Sequence, residues 1–185
     1  MTYSGAEEVP MEWADLLIDG YSRVLEALEE VLEGLTQDDL VWQPRPDCNS
    51  IGWLVWHLTR VQDDQIADLM GLEQVWTEDG WHAKFNRPPD PEDTGFGDTP
   101  EQVAAFKPPD VETMLAYHRA VVERSKSYIL TLSKSDLDRK LDEPWYTPLP
   151  TVGVRIISVM ADGLEHAGEA AYVRGLRQGL GWQKY

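Results

Sequence analysis

Only one cysteine, Cys48, occurs in 185 residues. That excludes an internal disulfide and any zinc site built from several thiolates. Basic residues are scarce as well. Sixteen Lys and Arg stand against 33 Asp and Glu, a net charge of −17 with a pI near 4.4. Such a surface repels nucleic acid phosphates and anionic membranes, so neither is an expected partner. No apolar run approaches the roughly 18 residues of a membrane span. The first residues, Met1–Glu8, are polar and acidic rather than signal-like, and the expected compartment is the cytoplasm. Gly-rich phosphate loops, the Gly-x-Ser-x-Gly elbow and the His-Glu-x-x-His zinc pattern are all missing. So is any convincing period-2 strand run.

What is present is helical. The length suits one domain over 1–185. Apolar residues recur every three or four positions in four segments. The first runs from about Pro10 to Glu33 on Trp13, Leu17, Tyr21, Val24, Leu28 and Val31, and Gly34 stops it. The second starts at Asn49 or Ser50, both good N-caps, and fades at Met70-Gly71. The third begins at Asp110. The fourth begins at Thr151 and reaches about Arg177. Between the second and third lies a Pro- and Gly-rich stretch, 71–109, that cannot be one helix. A short helical turn over Thr99–Phe106 fits Pro100 at its first position. Four aromatic rings in this stretch (Trp76, Trp81, Phe85 and Phe96) predict that it is ordered and packed. The expected fold is an all-α four-helix bundle with a long crossover between helices 2 and 3.

A faint internal repeat supports two helix pairs. Leu35-Thr36 to Leu40, Pro44 and Ser50-Ile-Gly52 are echoed by Leu132-Ser133 to Leu137, Pro144 and Thr151-Val-Gly153. The crossover is long enough to let helices 2 and 3 run parallel. Aligning the two caps sets His57 opposite Ser158, with Asp162 and His166 one and two turns further along the same stripe.

These three residues carry the chemistry. Asp162 and His166 have i, i+4 spacing, which stacks two side chains on one helix face. That spacing suits a metal pair, and a third ligand from another helix would leave a coordination position open. It equally suits an exposed stabilising pair worth a few tenths of a kcal/mol. His57 lies at the margin of its own apolar face, beside Leu54 and Val61. The di-metal carboxylate pattern fails, because Leu54 and Gly163 stand three residues before the histidines. Glu165 and Glu169 suit supporting or surface roles. His118 reads as a partly buried structural histidine, His82 lacks a paired partner, and Cys48 reads as passive.

The segments Asn49–Leu58 and Glu165–Gly175 resemble the DinB-like superfamily, in particular its actinobacterial branch of mycothiol-dependent transferases. The likeness extends over nearly the whole chain, including Thr99–Phe106. It implies a four-helix bundle holding a divalent metal, often zinc or nickel, on three residues. Many members use three histidines, two of them four apart on the last helix; here the first of that pair is Asp162. The related maleylpyruvate isomerases place a carboxylate and a histidine at that spacing. The resemblance therefore implies His57, Asp162 and His166 as metal ligands. It implies a low-molecular-weight thiol such as mycothiol as cosubstrate and a small electrophile as its target. Trp81 and Phe85 from the crossover are the expected substrate contacts. A metal-dependent hydrolase and a non-catalytic metal- or ligand-binding bundle that acts as a homodimer are the alternatives.

Overall fold

The computed structural model describes residues 11–183. Four long helices carry the fold: α1 (Trp13–Leu32), α3 (Ile51–Met70), α7 (Val111–Thr131) and α8 (Val152–Gln178). Four short ones lie between them: α2 (Gln37–Val41), α4 (Val75–Glu78), α5 (Trp81–Lys84) and α6 (Pro100–Ala105). Among the described residues there is no strand, only one isolated bridge between Lys140 and Thr151. The all-α expectation holds. The long helices start and stop where side-chain chemistry dictates. Ser50, Asp110 and Thr151 each accept a hydrogen bond from a backbone N–H of the first turn of α3, α7 and α8. Gly71, with φ +65°, ends α3 in the left-handed conformation that glycine adopts freely. The first helix begins at Trp13; Pro10 lies outside the described residues.

The repeat seen in the sequence exists in the hydrogen bonds. Thr36 donates to Asp39 Oδ2 from its backbone N–H at 3.1 Å and from its hydroxyl at 2.7 Å. Ser133 does the same to Asp136 at 2.8 and 2.6 Å. Each turn sets up the entry to the following long helix. Across α3 and α7, Thr59 meets His118, Gln62 meets Ser125, and Tyr128 donates to the Leu69 carbonyl. The numbers rise together, so these helices run parallel. Tyr21 to Ile156 and Arg174 to the Glu30 and Val31 carbonyls make α1 and α8 parallel too. Gln65 meets Arg155 and His57 meets His166, so α3 and α8 are antiparallel.

Apolar residues on the inner faces hold the bundle. Leu28, Leu32, Ile51, Leu54 and Ile156 are at most 1% exposed, and burying each such side chain contributes about 1.5–3 kcal/mol. α3 differs from an ordinary amphipathic helix: all ten residues from Ile51 to Arg60 are buried. One side faces the bundle, and the crossover covers the other. The tether is a buried polar network. Arg60, fully buried, donates to the Asp93 and Pro91 carbonyls and to Gln74 Oε1. Asp63 pairs with Arg60 at 3.5 Å and accepts from Tyr117 and from the backbone N–H groups of Val75 and Trp76. Asp63 thereby serves the orphan N–H groups that begin α4. Of the four crossover rings expected to pack, Trp76, Trp81 and Phe85 are buried but Phe96 is exposed, and a buried ion pair and its hydrogen bonds position the segment together with the buried rings.

Candidate metal centre

His57 enters the site from the second turn of α3. Trp53, one turn earlier, stacks on its ring with centroids 4.7 Å apart and planes 13° apart. The Thr94 carbonyl lies 2.6 Å from His57 Nδ1. A carbonyl can only accept, so Nδ1 carries the proton and Nε2 keeps its lone pair. The strand of chain that offers this carbonyl is pinned on both sides. Arg60 holds the Asp93 carbonyl at 3.0 Å, and the Trp53 indole donates to Asp98 Oδ2 at 2.9 Å. Burial pushes the His57 pKa below its ordinary value, and the bond to Thr94 opposes this only in part. The ring is therefore neutral at pH 7, the form a metal requires.

α8 supplies the other two groups. His166 Nε2 lies 3.6 Å from Asp162 Oδ1, as the i, i+4 spacing demands. On the ring's other side, Nδ1 donates to Glu169 Oε2 at 2.7 Å, which sets the same tautomer as in His57. Asp162 Oδ2 is buried and has no hydrogen-bond partner. Burial raises the Asp162 carboxyl pKa, and the two histidines counter it. A buried carboxylate oxygen without a donor is an unfavourable state that a cation would relieve.

The three side chains meet. The rings of His57 and His166 stand edge to face with centroids 5.0 Å apart. One candidate ligand atom from each of His57, Asp162 and His166 lies within 4.8 Å of the others. No other group of three or more such residues is found among the described residues. Both imidazoles have their protons fixed on the outer nitrogen, and the carboxylate has an oxygen lacking any partner. This donor set fits a divalent ion of borderline softness. His57 is buried and the other two are half-buried, so the group is accessible from one side.

A cavity of about 470 Å³ opens beside Asp162, lined by Val61 and Gln65 of α3, Val154, Arg155, Ser158 and Val159 of α8, and Glu143, Tyr146 and 148–150 of the segment before it. Trp81 and Phe85, the substrate contacts expected from the sequence, lie elsewhere. Both are buried in the core and pack their rings on Tyr117. Their placement gives them a packing role; of the trio, Asp162 alone lines the cavity. His82 sits against Trp76, and His118 is fully buried with Nδ1 3.0 Å from the Thr59 hydroxyl. Cys48 is half-buried and lines a separate cavity of about 570 Å³ with Glu169 and Tyr172. Sequence reasoning missed Thr94 altogether, because nothing marks a backbone acceptor. It placed Glu169 only as a supporting or surface group.

The DinB superfamily model matches residues 21–170, a span that contains all three residues of the trio. The chain belongs to the DinB superfamily. It is also similar to a solved structure, the crystal structure of the conserved protein of locus from Enterococcus faecalis. The two are 30% identical with a TM-score of 0.82, over 90% of this chain and 98% of that one. No curated protein matches the chain at a significant level. The DinB superfamily includes metal-dependent enzymes. No helix among the described residues is long and apolar enough to cross a membrane.

Proposed function

We propose that this DinB protein is a cytoplasmic, metal-dependent transferase that joins a low-molecular-weight thiol, mycothiol or a close relative, to a small electrophile. The observation that carries the reading is the convergence of His57, Asp162 and His166, one ligand atom of each within 4.8 Å of the others, on a carboxylate whose buried second oxygen has no hydrogen-bond partner. The resemblance of Asn49–Leu58 and Glu165–Gly175 to the mycothiol-dependent branch points to the thiol. Zinc or nickel in this His-Asp-His set would supply Lewis acidity and favour the thiolate form of a thiol at an open position.

The chain's own residues do the rest. Thr94 and Glu169 take the two Nδ1 protons, so that each ring keeps its lone pair on Nε2. Trp53 and the pinned segment around Thr94 keep water from His57 on its crossover side. The cavity beside Asp162 gives an organic molecule a walled approach. The test is direct. Protein loaded with zinc or nickel should consume mycothiol in the presence of a chlorodinitrobenzene or bimane electrophile. With chlorodinitrobenzene a C–S bond forms, a C–Cl bond breaks, and the thiol proton goes to solvent. No consumption of any cellular thiol by metal-loaded protein would overturn the transferase reading. Cleavage of an ester or amide without thiol would assign a hydrolase instead.

A further inference from the structure

We propose that the cavity bordered by Asp162 selects an elongated organic molecule with an apolar body and a hydrogen-bond donor, an ammonium or hydroxyl group, that reaches Glu143. Its place as the substrate site rests on the metal reading above; its ligand preference does not. The cavity volume of about 470 Å³ lies within the range of roughly 300–1,000 Å³ that holds small organic ligands. Its walls are largely aliphatic, with Val61, Leu149, Val154 and Val159 among them. Val154 and Leu149 are exposed despite being apolar, as expected of walls that a ligand covers.

Besides Asp162 Oδ2, a second carboxylate oxygen among the lining residues lacks a partner. Arg155 of α8 donates to Gln65 Oε1 and to Glu143 Oε1. The second oxygen of Glu143 is buried with no hydrogen-bond partner, on a residue 8% exposed. Buried acceptors in folded proteins are nearly always satisfied, so this one marks a place for a donor from outside. Arg155 already balances the Glu143 charge. What the site lacks is an N–H or O–H, not another anion. The adjoining cleft adds Asp64, Asp68 and Asp142 against Arg139 and Lys140, so an incoming carboxylate meets more acid than base.

The spacing sets the length of the ligand. Arg155 and Asp162 are seven residues apart on α8, about 10 Å along the helix axis. A molecule with its donor at Glu143, the ion-pair partner of Arg155, and its reactive atom at Asp162 is therefore elongated, on the order of 10 Å.

Four probes with one apolar body test this on metal-free protein: phenylbutylamine, phenylbutanol, phenylbutyrate and butylbenzene. Binding is followed by backbone amide shifts and by saturation transfer. The amine and the alcohol should bind at least tenfold more tightly than the carboxylate and the hydrocarbon, with shifts centred on Val154–Asp162. Glu143→Gln keeps the side-chain volume and an acceptor for Arg155; it should erase the preference with helicity retained, at a melting temperature lowered by loss of the ion pair. Equal binding of phenylbutyrate, an unchanged preference in Glu143→Gln, shifts elsewhere, or no binding by any probe would overturn the proposal. Zinc uptake is measured separately. A donor preference without zinc uptake leaves this cavity assignment standing and removes the metal reading; zinc uptake without the preference does the reverse.

Discussion

Gly95→Ala separates the positioning of His57 from backbone strain. Gly95 follows Thr94 and has φ +84°; a Cβ there would sit 2.8 Å from Trp56 Cζ3, 3.0 Å from Trp53 Cζ2 and 3.3 Å from His57 Nδ1. Trp56 and Trp53 are buried, so the backbone must yield. Gly97 provides the control, with φ +81° and nothing within 4 Å of its Cβ position. Gly97→Ala therefore costs the left-handed conformation alone, about 1–2 kcal/mol. Gly95→Ala adds overpacking of about 1–3 kcal/mol. At roughly 2–4 °C per kcal/mol for a chain of this size, the Gly95 variant should melt several degrees below the Gly97 variant. Displacing the Thr94 carbonyl also loosens the His57 ring, and zinc affinity should fall about 10- to 100-fold. Thermal melts without metal and zinc titration against a chelator measure both effects. Equal melting temperatures and equal zinc affinities for the two variants would show that the Thr94 segment does not position His57.

The other substitutions probe charge and burial. Asp162 has a folded pKa above its unfolded value, so the metal-free fold loses stability as pH rises through the carboxylate range. Asp162→Asn removes that penalty: the metal-free protein should melt higher than wild type at pH 7, while zinc affinity falls at least about tenfold. A lower metal-free melting temperature would contradict this. His118 is held neutral, its pKa pushed down by burial to about 3. Its contribution is intact above the unfolded pKa near 6.5 and is lost below it at about 1.4 kcal/mol per pH unit. Urea unfolding of His118→Leu between pH 7 and 4 should show a shallower decline than wild type. Arg60→Met breaks a buried ion pair and frees two crossover carbonyls, which should cost about 3–5 kcal/mol. Hydrogen exchange should quicken over residues 91–98 in this variant, and unchanged exchange there would refute the tether.

Much of this architecture is legible in the sequence. Ser50, Thr99, Asp110 and Thr151 each cap a helix where the sequence put one, because a short side-chain acceptor before an apolar period has few other uses. The pairing of Asp162 with His166 followed from helical spacing alone. The helices Gln37–Val41, Val75–Glu78 and Trp81–Lys84 escaped, since five residues or fewer leave no period to read. His57 read as a margin residue beside Leu54 and Val61; beyond that margin lies the face of α3 that carries Arg60 and Asp63. In the fold that face is buried under the crossover, and these two charges hold the crossover in place. The cavity wall from Glu143 to Pro150 was equally hidden, since loop packing depends on contacts far apart in sequence.

Zinc content of wild type beside His57→Ala bears most directly on whether the three side chains form one metal site. Both proteins are purified without chelator, loaded with zinc, desalted and analysed by elemental mass spectrometry, with helicity checked by circular dichroism. Wild type should retain about one equivalent and His57→Ala almost none at equal helicity, because two ligands on one helix hold an ion weakly without the third. Equal zinc in the two proteins, or none in wild type, would mean that His57, Asp162 and His166 do not form a metal centre.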